Sequence, residues 1–413
     1  MASSARASKL LNSERGGTLA VVMVLLAVLV GSTALVTDLG FFFVTRNQLQ
    51  NISDGTALAG ARVLGNIYQG LTSAEQQSYV CDESCINQIR TAAQTVAGDN
   101  AAGEVGSISL LESDILIGQW DGDAFTETLD QPDAVQVLAR RDENANAPVT
   151  TFFGKVLGID SGSISAIAVA ALTGQGTVLD GDLNIPVTLS KWFFENNACN
   201  DYIRFYPTND PQSCGGWTTF YSSPANNPVL EDYLDEILTA PAITVYDYDN
   251  PIVMIGGTLT SVFPEMLSMF QRNGCATDAT ADRNYLDDLG PTFDGCVDAQ
   301  EVLTHPDRVA WMEINNQGDP EQGEYPDGTL RHYHKWEVVV PVYDRDDCSN
   351  PNQSEVVVGF APVIITDVRG PPSAESPNKQ ITGQVICGLV SPEPNRGGGG
   401  EYGIKGSIPG LVR

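Results

Sequence analysis

Thr18-Leu19-Ala20-Val21-Val22-Met23-Val24-Leu25-Leu26-Ala27-Val28-Leu29-Val30-Gly31-Ser32-Thr33-Ala34-Leu35-Val36 is a run of nineteen residues with no charged, amide or proline side chain. At about 1.5 Å of rise per residue, a helix of this length covers roughly the 30 Å hydrocarbon core of a bilayer. Asp38 follows at its outer end, and Arg46 is the next charge. The rest of the 413-residue chain is polar, acidic and rich in turns. The reading is one membrane anchor, residues 18–37, carrying a large body.

The segment before the anchor, residues 1–17, holds Arg6, Lys9 and Arg15 against the single acid Glu14. Basic residues stay on the cytoplasmic side, so the N-terminus is expected inside and the body outside, as a single-pass protein. Ser32-Thr33-Ala34 resembles a signal-peptidase site. The apolar run is long for a signal peptide, however, and the helical pattern continues past the cut, so an uncleaved anchor is expected. Prepilin-type cleavage near Gly16-Gly17 needs a Glu five residues into the mature chain, where an apolar residue stands.

Eight cysteines, Cys81, Cys85, Cys199, Cys214, Cys275, Cys296, Cys348 and Cys387, all lie beyond the anchor. An even count outside a membrane points to disulfides in an oxidising compartment. The simplest pairing is sequential, 81–85, 199–214, 275–296 and 348–387, and it minimises loop length. Zinc is the rival, but the spacings lack paired C-x-x-C units. A formal net charge of −30 argues against nucleic acid, which demands clustered Lys and Arg, and fits solubility outside the cytoplasm.

No proline precedes Pro132, so the N-terminal third is free of the strongest helix breaker. Past the anchor, Phe42, Thr45, Leu49, Ile52, Thr56, Ala59 and Val63 recur three and four apart, one stripe of an amphipathic helix. A second helix is expected over 73–96, stopped by Gly-Asp-Asn. Alternating runs at 105–117, 134–140 and 163–172 read as strands, and 150–157 as a short apolar helix. Helices followed by strands indicate an α+β unit that ends near the Gly-Gln-Gly of 174–176. Farther on, strands are expected at 243–246, 251–259, 336–343, 355–367 and 381–389, with helices at 230–238 and 261–271. The glycine run 397–400 suggests a flexible tail.

Several constellations invite a chemical reading. Ala27 and Gly31 have the spacing that lets membrane helices approach, though lipid-facing residues explain them as well. Asp38 is expected as an interfacial charge solvated among headgroups, with a neighbouring subunit's cation as the sharper alternative. His332 and His334 alternate as on a strand, and exposed residues fit better than metal ligands. Asp344-x-Asp346, with Glu355 at the twelfth position, has the outline of a calcium loop, and Ca2+ is the one ion the sequence suggests. Against it, Ser349 stands where such a loop needs glycine, Cys348 occupies its fifth position and Pro351 interrupts it. Tyr246-Asp247-Tyr248-Asp249-Asn250 reads as a turn with solvated acids. The chain has no G-x-S-x-G elbow, P-loop, dinucleotide fingerprint or D-x-S-x-S pattern, so neither catalysis nor a cofactor is expected.

Arg15-Gly16-Gly17, Thr37-Asp38-Leu39-Gly40 and the stretch Arg46-x-Gln48-Leu49-Gln50-Asn51-x-x-Asp54-x-x-Ala57-Leu58-Ala59-Gly60-Ala61 carry a family pattern. Together they resemble the N-terminal segment of TadE/TadG-like proteins of Flp (Tad) pilus assembly, with Ile52-Ser53 and Gly55-Thr56 in place of small alanines. The run from Pro148 to Gly158, with Ile164 to Ala171, looks like the closing part of a TadG-type ectodomain, so the resemblance covers 13–175.

It implies a single-pass inner-membrane protein whose N-terminus is cytoplasmic and whose body is periplasmic. It also implies a non-catalytic, structural or anchoring subunit that meets other Tad subunits. A membrane-tethered adhesin or calcium-dependent binding protein is the alternative. The expected fold is α+β: a transmembrane helix extended into a long amphipathic helix, a pilin-like helix-plus-sheet unit over 38–175, an irregular disulfide-stapled α+β domain over 176–392, and a Gly-rich tail over 393–413. Within the helix, Phe42, Leu49, Ile52, Ala59 and Val63 form the expected interaction stripe.

Overall fold

A computed structural model describes residues 14–199, 201–205, 214–235, 237–255, 262–273, 296–298, 332–334, 336–348, 352–369 and 380–412. Its first element is helix α1, Glu14–Gln69, with 56 residues. No proline interrupts it, and Ser32, Thr33 and Thr37 return their hydroxyls to the carbonyls of Val28, Leu29 and Thr33 at 2.7, 2.9 and 2.9 Å. That leaves no side-chain donor of these residues bare in an apolar surrounding. Large side chains from Leu19 to Val36 are exposed, and this is the one described helix long and apolar enough to cross a membrane. Burial begins farther along, with Asp38, and resumes at Thr45 to continue through Leu49, Ile52, Ser53, Thr56, Ala57, Ala61 and Leu64.

The chain divides into two units, the first comprising Met1–Leu64, Val80–Ala171 and Leu411–Arg413. The single helix expected over 73–96 is two helices, α2 (Ser73–Gln77) and α3 (Glu83–Gly98). Asp82 stops continuation by capping α3, accepting the Cys85 N–H at 2.9 Å, and a disulfide joins Cys81 to Cys85 across that first turn.

The sheet of the first unit takes β1 (Ile115–Trp120), β2 (Phe125–Glu127) and β3 (Ala134–Arg141), followed by the hairpin β4 (Val149–Thr150) and β5 (Ser161–Gly162), and then β6 (Ile164–Ala171). Strands run β2-β1-β3-β6, these four antiparallel, with the short strand Gly410–Leu411 next to β6, while β4 and β5 pair only with each other; Ile115 stands opposite Val137 and Val137 opposite Ala168. The strand expected at 105–117 forms only in its last residues, because Leu111 and Asp114 close a 3-10 turn ahead of it.

Helix α1 lies directly on β3 and β6. Ser53 donates its hydroxyl to Ala166 O at 3.0 Å and accepts the Ala139 N–H at 3.3 Å. Gly60 permits the approach, since a Cβ there would stand 3.0 Å from Val135 and 3.2 Å from Ile89 of α3.

The second unit comprises Gly65–Tyr79 and Leu172–Gly410. Its main sheet runs, by residue range, 354–355, 252–255, 215–218, 187–190, 336–343, 357–369, 380–385 and 202–205. Residues 336–343 and 357–369 form its longest antiparallel pair, with Val338 opposite Val363 and Val340 opposite Ala361. Against one face pack Leu230 and Leu234 of helix Asn227–Leu234 and Phe263, Met266 and Met269 of helix Val262–Asn273.

Two disulfides depart from sequential pairing: Cys199 is joined to Cys387 and Cys214 to Cys348, across 188 and 134 residues. Sheet order brings both pairs together: Gly215 opposite Leu189 and Tyr343 opposite Ser190 align the strand ends beside Cys214 and Cys348, and Tyr202 opposite Gln384 does the same for Cys199 and Cys387. Cys275 and the Cys296 side chain lie outside the described residues.

The segment 393–413 is not a loose tail over its described length. Residues 404–405 pair with 389–390, and the Val412 N–H donates to Val169 O at 2.9 Å within the first unit. The glycines of 397–400 thread against 174–176: a Cβ on Gly399 would stand 2.1 Å from Gln175 O, and one on Gly174 2.2 Å from Gly400 O. Their glycine content answers a backbone crossing rather than a need for flexibility.

Candidate functional site

The first unit meets the outer end of the apolar run at one acid. Asp38 is only 7% exposed, and its carboxylate accepts the N–H groups of Phe152 at 2.8 Å, Phe153 at 3.1 Å and Gly154 at 2.7 Å. Those amides open the 3-10 turn Gly154–Leu157. A carboxylate bonded to three main-chain donors is compensated without a cation. This corrects the expectation of an acid solvated among headgroups: the Asp38 oxygens are satisfied by the main chain of 152–154.

The hairpin around it is built tightly. The Thr151 hydroxyl donates to Ile159 O at 2.6 Å, the Ile159 N–H to Gly154 O at 3.0 Å, and Gly158 turns the chain with a φ of +82°. At the base, the buried Arg141 guanidinium donates to Ala102 O at 3.2 Å, Ala147 O at 3.1 Å and Pro148 O at 3.3 Å. Removal from water lowers the pKa of this arginine, and Glu104 opposes the shift. Of the short helix expected over 150–157, Gly154–Leu157 forms as a 3-10 turn, while Thr150 joins a β-hairpin, since Val149 and Thr150 pair with Gly162 and Ser161.

Levels along α1 give the hairpin a direction. Gln48 accepts the Gly103 N–H at 2.7 Å, the Phe42 ring abuts Gly162, Phe41 stacks edge-on with Phe152 at 5.3 Å, and Asp38 holds 152–154. From its base to its tip the hairpin runs back along the helix toward the apolar run.

Of the expected stripe, Leu49 and Ile52 are buried within the first unit, while Phe42, Ala59 and Val63 are half-buried. Beyond Thr56 the buried line follows Ala57, Ala61 and Leu64 instead. A helix of about 3.6 residues per turn drifts off a strict three-and-four count in this way. Gly31 has no neighbouring side chain within 4 Å, so Ala27 and Gly31 remain on an open helix surface among the described residues.

The three carboxylates of the calcium outline are each paired within the chain. The Lys191 ammonium lies 2.6 Å from Asp344 and 2.8 Å from Asp346, occupying the place between them, and its pKa is raised by those two carboxylates. Glu355 turns elsewhere, to Arg345 at 3.0 Å. Among the described residues no three His, Cys, Asp or Glu side chains gather to hold a metal ion.

His332 and His334 are on a strand, but their side chains lie outside the described residues. Asp247 caps its turn, and its pKa is held below the usual range first by the Asn250 side-chain amide and then by the Asn250 and Asp249 N–H groups, all donating at 3.1 Å. A cleft of about 170 Å³ beside Leu183, Phe220, Tyr233 and Met269 is smaller than ordinary small-molecule sites, roughly 300–1,000 Å³.

Comparison with known families places two matches on this architecture. Residues 16–63 match the family described as Flp pilus-assembly TadE/G-like, and residues 72–170 match the family described as Tad-like Flp pilus-assembly. No curated protein and no solved structure matches the chain. The first match covers most of α1, and the second covers α3, the sheet and the hairpin that Asp38 holds. Over residues 16–170 the chain is therefore similar to the Flp (Tad) pilus-assembly families, the TadE/G-like segment first and the Tad-like segment after it.

Proposed function

We propose that this chain is a non-catalytic, membrane-anchored component of Flp pilus assembly. Residues 18–37 span the inner membrane, residues 1–17 stay in the cytoplasm, and the body lies in the periplasm. The observation that carries the reading is the order of the two family segments on one framework. The helix matched by the first continues out of an apolar run, and the sheet matched by the second rests on it through Ser53 and Gly60.

In this reading 38–175 works as a helix-plus-sheet unit in the manner of a pilin. Leu49 and Ile52 secure the helix to its own sheet, and Phe42, Ala59 and Val63 flank that contact. Partner contacts with other Tad subunits then fall on the unit's outer surface or on the open helix face at Ala27 and Gly31. Basic residues before the span and a net charge of −30 for the whole chain support the orientation.

The test is deletion of the gene in a strain that makes Flp pili, followed by electron microscopy of the cell surface. Loss or severe shortening of pili, restored by the intact chain, is expected. Normal pili in the deletion strain would overturn the assembly role.

A further inference from the structure

We propose that the hairpin tip 152–159 is a second membrane-contacting element, inserting Phe152, Phe153, Val156, Leu157 and Ile159 into the lipid interface beside the transmembrane helix. These five apolar side chains are between 47% and 85% exposed, with Val156 and Leu157 the most open. An exposed apolar cluster on a tightly hydrogen-bonded loop marks a contact surface rather than loose chain. The occupant follows from where the loop is held.

Thr18 to Val44 is 27 residues with Asp38 as its one charge. At about 1.5 Å per residue, Asp38 falls roughly 30 Å along this stretch, at the outer edge of the hydrocarbon core. Asp38 fixes 152–154 at that level, and the hairpin descends to it from the level of Phe42. The tip is therefore delivered to the zone where lipid begins, continuous with the exposed Val36, Leu39 and Phe43 of the helix.

Its polar groups suit an interface. The Asp38 carboxylate is internally bonded, the exposed Lys155 can reach phosphate headgroups, and Asp160, also exposed, follows Ile159 at the foot of the tip. Electrostatic attraction of the whole body to anionic lipid is excluded by the net charge, so apolar insertion supplies the contact. Such a contact would fix the tilt and rotation of the body on its anchor, which a single span leaves free.

The proposal rests on α1 crossing the bilayer and not on the pilus-assembly role. The full chain is reconstituted in phosphatidylcholine–phosphatidylglycerol vesicles, and Val156→Trp and Leu157→Trp are compared with the parent and with Glu127→Trp on β2. Flotation after an alkaline wash is scored first. A chain that does not float overturns the span and this proposal with it, a different failure from a floating chain whose added tryptophan stays wet.

In floating samples the added emission at 156 and 157 is expected to lie to the blue of that at 127. It should be lost in vesicles of lipid brominated near the glycerol end of the acyl chains and spared by aqueous acrylamide. Quenching by acrylamide and not by bromine would overturn the proposal. Protection from both quenchers would also overturn it, by assigning the tip to contact with a second copy of the chain.

Discussion

Asp38 is the one acid between Glu14 and Asp54, set in a stretch that is otherwise uncharged from Thr18 to Val44. A carboxylate so placed is costly unless its oxygens are satisfied, and three successive main-chain amides satisfy them. Replacing Asp38 by Ala leaves those amides without a partner. The expected loss is about 1.5–3 kcal/mol of local stability, the range for hydrogen bonds to a charged group, or roughly a 10- to 100-fold faster exchange of the 152–154 amides. Hydrogen exchange of the full chain in nanodiscs reads it directly, and Asp38→Asn should recover only part because one carboxylate oxygen becomes a donor. Unchanged exchange in Asp38→Ala would show that the hairpin holds itself. The acid was visible in the sequence, but its partners were not: they are backbone groups 114 residues away and carry no side-chain signal.

At the scale of elements, α1 and the glycine segment teach opposite lessons. The course of α1 follows from simple periodicity and the absence of proline, since each apolar position needs only its neighbours three and four away to define a face. Even so, its buried line passes through Ala57, Ala61 and Leu64 where the count pointed to Ala59 and Val63. The segment 397–400 misled for a different reason. Glycine signals freedom in an isolated chain, whereas here it permits two backbones to cross, and the partner strand lies more than two hundred residues earlier. Gly399→Ala should therefore destabilise the second unit by about 1–3 kcal/mol, as overpacking does. A lowered thermal midpoint of the detergent-solubilised chain checks this, with Gly398→Ala not serving as a control because its φ of +106° is itself strained for alanine. A midpoint equal to that of the parent would mean the crossing is loose.

For the whole molecule, the sequence was informative where structure is local and silent where it is not. The apolar span, the α+β character and the family resemblance all rest on contiguous residues. The pairing of Cys199 with Cys387 and Cys214 with Cys348 rests on sheet order, which spacing along the chain does not encode. The calcium outline likewise depended on a short pattern, and the cation that meets Asp344 and Asp346 within the chain, Lys191, lies about 150 residues before it. The longest element is one helix whose apolar part is long enough to cross a membrane and whose buried part carries the sheet of the first unit. The proposed topology, residues 18–37 across the inner membrane with the body outside, is read by paired C-terminal fusions in a Gram-negative host. Expected are an active alkaline phosphatase fusion and a dark green fluorescent protein fusion, both lost from the membrane fraction when residues 18–37 are deleted. A bright fluorescent fusion with an inactive phosphatase would put the body in the cytoplasm and contradict the claim.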